Sequence, residues 1–337
     1  MNRLSPQKQD YLILAVFTLA LVLLPLTGRS NYFLGQGTLY LIWAAVVTQW
    51  NIVLGVAGIM SIGNLALFAA GGYSVALLGL YFDISPWVSL PIGALAGLGM
   101  ALLMGLSTLR LRGAYTVVVT LSISMVMYQL IVTDVACFRR TASACYSLTG
   151  GSRGVTRFGD FGFNEMFGYG GAAWGNFLLA LATLVLCMAA AITVIHSPYG
   201  RAFQALRDNE QAARARGIRI EKFQLIVFAA AGFFTGLAGG VYAGTQRTFG
   251  PQILGFPTLL FLLSIMIVGG RGRIWGPVLG TICLALVQEN TTGLAQWQSS
   301  TYALLLIVIL IMAPEGLAGG LSPLLPWAKA RAGGGGS

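Results

Sequence analysis

The sequence SPYGRAFQALRDNEQAARARGIRIEK, from Ser197 to Lys222, is the longest charged segment in a chain that is otherwise mostly apolar. Pro198 suits the first turn of a helix, and residues 202–216 are mostly strong helix formers. Gly217 stands where a helix can end with a positive φ. An apolar stretch lies on each side. We therefore interpret residues 197–222 as two short helices, exposed between two membrane spans, that contact a soluble partner.

The composition of the whole chain is that of a helical membrane protein. Of its 337 residues, 56% are hydrophobic, 9% are charged and 45 are glycines. The cations lie between apolar stretches, so membrane topology explains the net charge of +10 and nucleic-acid binding is not expected. The sequence predicts an all-α polytopic membrane protein, embedded in the lipid bilayer as a single domain over residues 1–332. We interpret the final GGGGS, 333–337, as a linker.

Ten apolar stretches are candidates for membrane-spanning helices, since about 20 apolar residues cross a bilayer core. The eighth and ninth are short and interrupted by glycine, so one of them is expected to be tilted, re-entrant or broken. The stretch Gly55–Asn64 is a further candidate for a broken helix, because it is rich in glycine and has almost no polar loop. The ten predicted spans are Tyr11–Thr27, Thr38–Gly55, Ile59–Tyr81, Trp87–Leu109, Ala114–Thr133, Trp174–Ile195, Phe223–Thr245, Phe256–Gly269, Ile274–Glu289 and Tyr302–Ala318.

The distribution of Lys and Arg sets the orientation of these spans. With ten crossings and a cytoplasmic N-terminus, most cations fall on the cytoplasmic side, including all six of residues 197–222. Both termini and this charged segment are therefore predicted to be cytoplasmic, in a multi-pass protein of a bacterial inner membrane. Residues 134–173 then form a large external loop. Its Cys137 and Cys145 either form a disulfide or remain two free thiols, and the sequence leaves both alternatives open.

Glycines recur at every fourth position in the span that follows the charged segment. Such a ribbon of small residues lets transmembrane helices approach closely, so we expect helix packing or a subunit contact here rather than a lining for substrate. These glycines are Gly232, Gly236, Gly240 and Gly244.

The spans lack the groups that would supply energy or catalysis. Carriers driven by ion gradients usually bind the coupling ion through acidic residues or histidine. Here the interiors of the spans hold essentially no acidic residue, and the only histidine, His196, lies at the edge of the charged segment. There is no G-x-x-x-x-G-K-[ST] phosphate loop and no H-E-x-x-H or Cys/His set for a metal. We therefore predict no enzymatic activity, no metal, no cofactor, and a conduit that takes its free energy from a partner.

The segment EQAARARG, from Glu210 to Gly217, resembles the E-x-A-A-x-x-x-G core of the loop through which permeases of ABC importers contact their ATPases. Its alanines can seat a short helix in a groove of a nucleotide-binding subunit, and the glycine permits a sharp exit. Nearby arginines can form charge pairs with that subunit. The predicted ATPase-coupling residues are Arg207, Glu210, Ala212, Ala213, Arg214 and Gly217.

Three blocks of sequence resemble the LivM-like permease family of branched-chain amino acid ABC importers. They are Trp50–Leu78, Leu109–Met127 with Thr149–Val155, and the region from Ser197 to about Gly320. The resemblance implies a non-catalytic permease subunit for branched-chain or related hydrophobic amino acids. It also implies a LivH-like second permease as heterodimer partner, two ATP-binding subunits and a periplasmic solute-binding protein.

The substrate path is predicted from the broken helix. A zwitterionic amino acid needs partners for its carboxylate and amine inside a membrane, and a broken helix offers free amides and carbonyls. We expect Ser61, Asn64 and Tyr115 to line this path, unless these groups merely bond neighbouring helices. The chain departs from the family pattern at residues 70–73, at Asn64 and at residues 122–126, and similar permeases import urea, short amides or aromatic acids, so these are alternative substrates.

Two functions of other kinds remain open at this point. A stand-alone sodium-coupled carrier would bind its ion through backbone carbonyls and would transport without ATPase subunits. A membrane scaffold would use residues 197–222 to recruit a soluble protein and would carry no cargo. Copurification with ATPase subunits discriminates the importer from both.

Overall fold

The computed structural model describes residues 5–23, 30–111, 113–136, 138–140, 145–168, 171–290 and 316–317. This part of the chain is almost entirely helical. Its α-helices in chain order are α1 (Pro6–Leu23), α2 (Asn31–Asn51), α3 (Asn64–Phe82), α4 (Pro86–Thr108), α5 (Ala114–Val132), α6 (Phe163–Phe167), α7 (Gly171–His196), α8 (Pro198–Asp208), α9 (Glu210–Ala215), α10 (Ile220–Gln246), α11 (Phe256–Gly269) and α12 (Gly276–Asn290). Two antiparallel pairs of short strands join β1 (Arg139–Arg140) to β2 (Cys145–Tyr146) and β3 (Val155–Thr156) to β4 (Thr248–Phe249).

Six of these helices are long and apolar enough to cross a membrane. They are α2 with its π-helical continuation Ile52–Val56, α3, α4, α5, α7 and α10. α11 and α12 are apolar but have only 14 and 15 residues, in line with the short eighth and ninth spans predicted from the sequence. α1 has 18 residues, but it begins with the polar sequence PQKQD.

The described residues therefore form an all-α membrane protein, whereas the predicted number of ten spans is not confirmed. Of the predicted tenth span, Tyr302–Ala318, only Gly316 and Leu317 are described, and the predicted linker 333–337 lies outside the described residues. The second span also begins earlier than predicted, at Asn31. The hydroxyl of Ser30 explains this start, because it accepts a hydrogen bond from the amide of Phe33 (3.4 Å) and caps α2.

α3, α4 and α10 form the centre of the fold, and their three pairwise contacts are the most extensive between helices in the described part of the chain. Their backbones meet at glycines. A Cβ added to Gly236 would lie 2.7 Å from the carbonyl oxygen of Gly93 and 2.8 Å from the Cα of Gly97. A Cβ on Gly232 would lie 2.8 Å from the carbonyl oxygen of Gly97. At Gly236 no side chain separates α4 from α10, whereas at Gly232 the nearest atom is the Cβ of Ala101 on α4.

The other two glycines of the α10 ribbon also make contacts inside the chain. Gly240 lies against the side chains of Leu90 and Val75, at 2.9 Å from each for an added Cβ. Gly244 lies beneath the ring of Phe161. The four glycines therefore pack against α4, α3 and the connection that precedes α7.

The bundle has two ends, which α10 connects. At one end, which we call the strand end, β3 pairs with β4 and joins residues 134–173 to the segment after α10. The carboxylate of Asp134 there accepts hydrogen bonds from the amide (2.6 Å) and the hydroxyl (2.7 Å) of Thr149. At the other end, which we call the α8 end, α8 and α9 precede α10.

The predicted external disulfide lies outside the described residues, because Cys137 and the side chain of Cys145 are not among them. The two remaining cysteines, Cys187 and Cys283, are free thiols.

Candidate functional site

A helix break between α2 and α3 is the first part of the candidate site. α2 passes into the π-helical turn Ile52–Val56, and residues 57–63 are not helical. Gly58 has a φ of +71°, a conformation that glycine adopts without the strain a side chain would bring. The break lies within the stretch that the sequence predicts to be broken. Broken transmembrane helices leave backbone amides and carbonyls available to ligands.

Asn51 fixes the break against the turn between α11 and α12. Its Nδ2 donates to the carbonyl of Arg273 (2.9 Å), and its Oδ1 accepts from the amide of Gly272 (2.8 Å). The side chain is buried, so these two bonds replace those it would make with water. Asn51 is not among the residues predicted from the sequence. Its signal is a carboxamide in an apolar span, which needs partners wherever it is buried.

Ser61 in the break and Asn64 at the start of α3, two of the predicted path residues, are buried with 3% exposure each. The Nδ2 of Asn64 donates to the carbonyl of Val46 (3.5 Å), and the carbonyl of Ser61 accepts from the Nε1 of Trp50 (2.7 Å). Both contacts connect the break to α2. Tyr115, the third predicted path residue, does not join them, because its side chain is 74% exposed on α5.

Thr120 is the α5 residue that contacts the break. Its hydroxyl accepts a hydrogen bond from the amide of Ile62 (3.1 Å) and donates to the carbonyl of Thr116 (2.8 Å). Thr116, Thr120 and Ser124 recur at every fourth position and are all buried. This spacing of hydroxyl groups is visible in the sequence and marks the face of α5 that turns inward.

α8 brings Arg207 to the helix break. The Nη1 of Arg207 donates to the carbonyl of Gly55 (2.7 Å), which lies in the π-helical turn. The same side chain covers Gly58, where an added Cβ would lie 2.7 Å from the Cγ of Arg207. The charged segment is thereby bonded directly to the break, although 152 residues separate Arg207 from Gly55.

The sequence also explains how α8 is held in place. Its first turn contains Pro198, and the hydroxyl of Ser197 accepts a hydrogen bond from the amide of Gly200 (3.3 Å). Phe203 is buried with 2% exposure and packs edge to face on Phe223 of α10, with 6.0 Å between ring centroids. This apolar anchor fixes the helix from which Arg207 extends.

α9 places the predicted coupling alanines on different faces. The Oδ1 of Asn209 caps the helix by accepting from the amide of Ala212 (3.0 Å). Ala213 is buried with 2% exposure, whereas Ala212 is exposed. Gly217 is also exposed, with a φ of +81°, and an added Cβ there would meet nothing within 4 Å. α9 therefore leaves Ala212 and Gly217 accessible to a partner.

Of the other predicted coupling residues, Glu210 and Arg214 lie on α9, but their side chains are outside the described residues.

A cleft of about 290 Å³ lies at the α8 end, where the break, α8 and the start of α5 meet. It is lined by Ala57, Gly58, Ile59, Met60, Leu109, Leu111, Gly113, Thr116, Phe203, Leu206, Arg207, Ile220, Phe223 and Gln224. Most of these side chains are apolar, and Arg207, Gln224 and Thr116 supply polar groups. The cleft therefore lies between α8, the helix break and the hydroxyl face of α5.

A second polar contact at the α8 end holds α1 against the bundle. The Nε2 of His196, at the end of α7, lies 2.8 Å from the carboxylate of Asp10, and the Nε1 of Trp275 donates to the same carboxylate (3.4 Å). The hydroxyls of Tyr11, next to Asp10 on α1, and Thr193, one turn before His196 on α7, are 2.7 Å apart. Asp10 is not among the residues predicted from the sequence, because its partners become neighbours only in the folded chain.

Among the described residues, no group of three or more His, Cys, Asp or Glu side chains is placed to hold a metal ion.

Comparison with known proteins shows similarity to membrane transport permeases. A family model described as "Branched-chain amino acid transport system / permease component" matches residues 31–313. The chain is 27% identical, over 334 residues, to the high-affinity branched-chain amino acid transport system permease protein LivM of Escherichia coli (strain K12). That alignment covers 93% of this chain and 76% of LivM.

Two other relatives indicate how wide the similarity is. The probable branched-chain amino acid transport permease protein LivH of Methanocaldococcus jannaschii is 24% identical over 278 residues, which are 76% of this chain and 84% of LivH. The ribose import permease protein RbsC of Bacillus subtilis is 31% identical over 163 residues, which are 45% of this chain and 48% of RbsC. No solved structure matches the chain.

Proposed function

The chain belongs to the family of branched-chain amino acid transport permease components, and we propose its function on that premise. As a member of that family it is a permease component of an ABC importer, with several apolar membrane-spanning helices. We propose that it moves branched-chain or related hydrophobic amino acids across a bacterial inner membrane. ATP hydrolysis takes place in partner subunits, and the chain itself is not an enzyme.

The choice of substrate is supported by the extent of the similarity. LivM of Escherichia coli aligns with 93% of the chain, whereas the ribose permease RbsC aligns with less than half of it. The carbonyls and amides of residues 57–63 suit a zwitterion, and Ser61 and Asn64 add polar groups beside them. Ribose is the second candidate substrate, because its permease matches at 31% identity in the shared part.

The observation that carries the coupling mechanism is the hydrogen bond from Arg207 to the carbonyl of Gly55. An ATPase subunit that binds α9 at Ala212 and Gly217 would displace α8, and this bond transmits the displacement to the helix break. The break lies beside the cleft at the α8 end, so its movement opens or closes that cleft. Coupling thus needs no ionisable group inside a span.

The proposed assembly contains a LivH-like second permease, two ATP-binding subunits and a periplasmic solute-binding protein. The α8 end and both chain termini face the cytoplasm in this arrangement. The strand end, with residues 134–173, faces the solute-binding protein. The excess of Lys and Arg at the α8 end supports this orientation.

Reconstituted transport tests the proposed function. The chain is purified with its copurifying subunits and placed in liposomes that contain ATP, and uptake of labelled leucine is compared with uptake of labelled ribose. We expect leucine uptake that requires ATP and the solute-binding protein. Uptake of ribose without uptake of leucine would reject an amino acid as the substrate. Uptake by the isolated chain under a sodium gradient would reject ATP as the energy source. A complex that binds a soluble protein and transports neither substrate would favour a scaffold.

A further inference from the structure

α5 is the least enclosed of the six long spans. Only 22% of its most apolar 18-residue window is buried, against 44% to 78% for the other five. Its inward face carries Thr116, Thr120, Ser124 and Ile131. Leu121, Ile123, Met127 and Tyr128 are partly buried against the core, and the opposite side of the helix is exposed.

The outward face of α5 is defined here by residues spaced alternately three and four apart, which lie along one side of a helix. All of them are exposed: Tyr115, Val118, Ser122, Met125 and Gln129. The three polar members follow each other at intervals of seven residues. No side-chain hydrogen bond joins any of these three to another described residue, and Ser122 stands at the middle of the helix.

α4 provides an internal comparison, because it also has an exposed face. From Val88 to Leu106 its exposed residues are exclusively apolar: Val88, Pro91, Ile92, Leu95, Gly99, Leu103 and Leu106. This face is what contact with lipid requires, since lipid chains offer no hydrogen-bond partner. The next exposed residue of α4, Ser107, donates to the carbonyl of Leu103 in its own helix (2.8 Å). Ser122 and Gln129 make no such bond within the described part of the chain, so on a lipid-facing surface their polar groups would stay unpaired, at a free-energy cost.

The spacing and chemistry of the outward face suit another transmembrane helix. Helices associate in membranes through small residues that allow close approach and through Ser, Thr and Gln side chains that bond across the contact. The chain is similar to both LivM and LivH over most of its length, so a second permease with the same arrangement of helices is the partner to expect. The cleft at the α8 end is lined by Gly113 and Thr116, directly beside Tyr115. A partner on this face would therefore border the cleft.

We propose that the outward face of α5 is the contact surface for the second permease subunit. This inference rests on the proposed function, in which the chain is one of two permeases. Ser122 and Gln129 bond across the contact, and Val118 and Met125 pack against the partner helix. The cleft then continues along the boundary between the two permeases.

Photo-crosslinking in membranes tests the contact directly. p-Benzoylphenylalanine is introduced at Val118 or Met125, with Leu95 or Leu103 on the exposed face of α4 as matched controls, and the chain is coexpressed with the subunits that copurify with it. We expect adducts at 118 and 125 whose peptide masses identify a permease of the same family, and none at 95 and 103. Adducts with lipid alone, with another copy of this chain or with any other protein would overturn the proposal, as would equal adducts on both faces.

A second measurement guards against loss of folding in a single variant. If the face contacts lipid, Gln129→Leu leaves the complex intact or strengthens it. If the face contacts the second permease, Gln129→Leu lowers the amount of copurified permease several-fold, while Ser107→Leu on α4 does not. Unchanged copurification in Gln129→Leu, together with absent adducts, rejects the contact.

ATP-driven leucine uptake is measured on the same wild-type membranes. Adducts without uptake of leucine would support the contact surface and contradict the proposed substrate. Uptake of leucine without adducts would support the proposed function and contradict the proposed contact surface.

Discussion

Arg207 connects α8, the helix before the partner-accessible α9, to the helix that breaks inside the bundle. Hydrogen bonds to charged groups contribute about 1.5–3 kcal/mol each. The carbonyl that Arg207 binds belongs to Gly55, in a π-helical turn, a form of helix that is rare and often found at functional sites. A displacement of α8 therefore acts first on the least regular turn of the six long spans.

Replacement of Arg207 by alanine should uncouple the transporter. We expect Arg207→Ala to reduce substrate uptake per ATP hydrolysed about tenfold, the factor that corresponds to 1.4 kcal/mol. The ATPase subunits should still copurify, because α9 is unchanged. Arg201→Ala, on an exposed position of the same helix, is the control and should behave as the wild type. Uptake and ATPase rates measured on the same proteoliposomes give the ratio, and an unchanged ratio in Arg207→Ala would contradict the mechanism.

Asn64 and Ser61 should affect substrate binding rather than coupling. We expect Asn64→Ala and Ser61→Ala to raise the KM of uptake several-fold with the ratio of uptake to ATP hydrolysis unchanged, because each removes a polar group beside the break. Ser107→Ala on α4 is the control, since its hydroxyl bonds only to the carbonyl of Leu103 in its own helix (2.8 Å). Wild-type KM values in both variants would show that these groups only bond neighbouring helices.

At the scale of single residues, the sequence indicates candidate side chains, whereas their contacts become visible only in the folded chain. The charged segment indicates Arg207, because a cation beside an ATPase-contact motif is a local feature. Its partner Gly55 is 152 residues away, and no local pattern specifies that contact. Tyr115 shows the same difficulty: its neighbour Thr116 has the inward position, and a helix turns by about 100° between them.

At the scale of helices, the close approach of α4 and α10 depends on the absence of side chains. A methyl group on Gly236 would lie 2.7 Å from the carbonyl oxygen of Gly93, which is closer than van der Waals contact allows. The backbone on the other side cannot move as a flexible side chain would. Overpacking of this kind costs about 1–3 kcal/mol.

Gly236→Ala should therefore destabilise the protein, although alanine is the better helix former. Gly99→Ala on α4 is the matched control, because an added Cβ there meets nothing within 4 Å. We expect the thermal unfolding midpoint in detergent to fall for Gly236→Ala and to stay or rise for Gly99→Ala. A common shift in both variants would mean that close packing of α4 on α10 does not limit stability.

The sequence predicts the helices of this fold more readily than their surroundings. Glycine spacing is a local feature, so it indicates the break between α2 and α3 and the close-packed face of α10. α5 is apolar on almost every side, so hydropathy alone does not show which face is covered. That distinction requires the neighbouring helices, and it separates Thr120 on the break from Ser122 on the exposed side.

At the scale of the whole molecule, the proposed function fixes which end faces the cytoplasm. We expect a membrane-impermeant maleimide to label Arg201→Cys, at the α8 end, only in inverted vesicles. Ser152→Cys, exposed at the strand end, should be labelled in intact spheroplasts. Cys137 and Cys145 are replaced by serine in both variants to remove their own reaction. Labelling from the opposite sides would place α9 out of reach of cytoplasmic ATPases.

Composition predicts the class of the whole molecule, whereas the number of spans is harder to predict. Hydropathy separates apolar from polar segments, and ten apolar stretches follow from it. Whether a stretch such as α11, with 14 residues, crosses the bilayer depends on tilt and on its neighbours. The position of α1 is also hard to predict from hydropathy, because Asp10 in its polar first turns bonds to His196 and Trp275 of the bundle.

The direct backbone contacts among α3, α4 and α10 also determine how the protein can change shape. Helices separated by flexible side chains can slide past each other, because the side chains can change conformation. Helices whose carbonyls lie against glycines of a neighbouring helix have no side chains between them that could adjust in this way. These three helices should therefore behave as a stationary frame throughout the transport cycle. The alternation between inward-open and outward-open states then falls to the parts attached to that frame, the break after α2 and the loosely held α5.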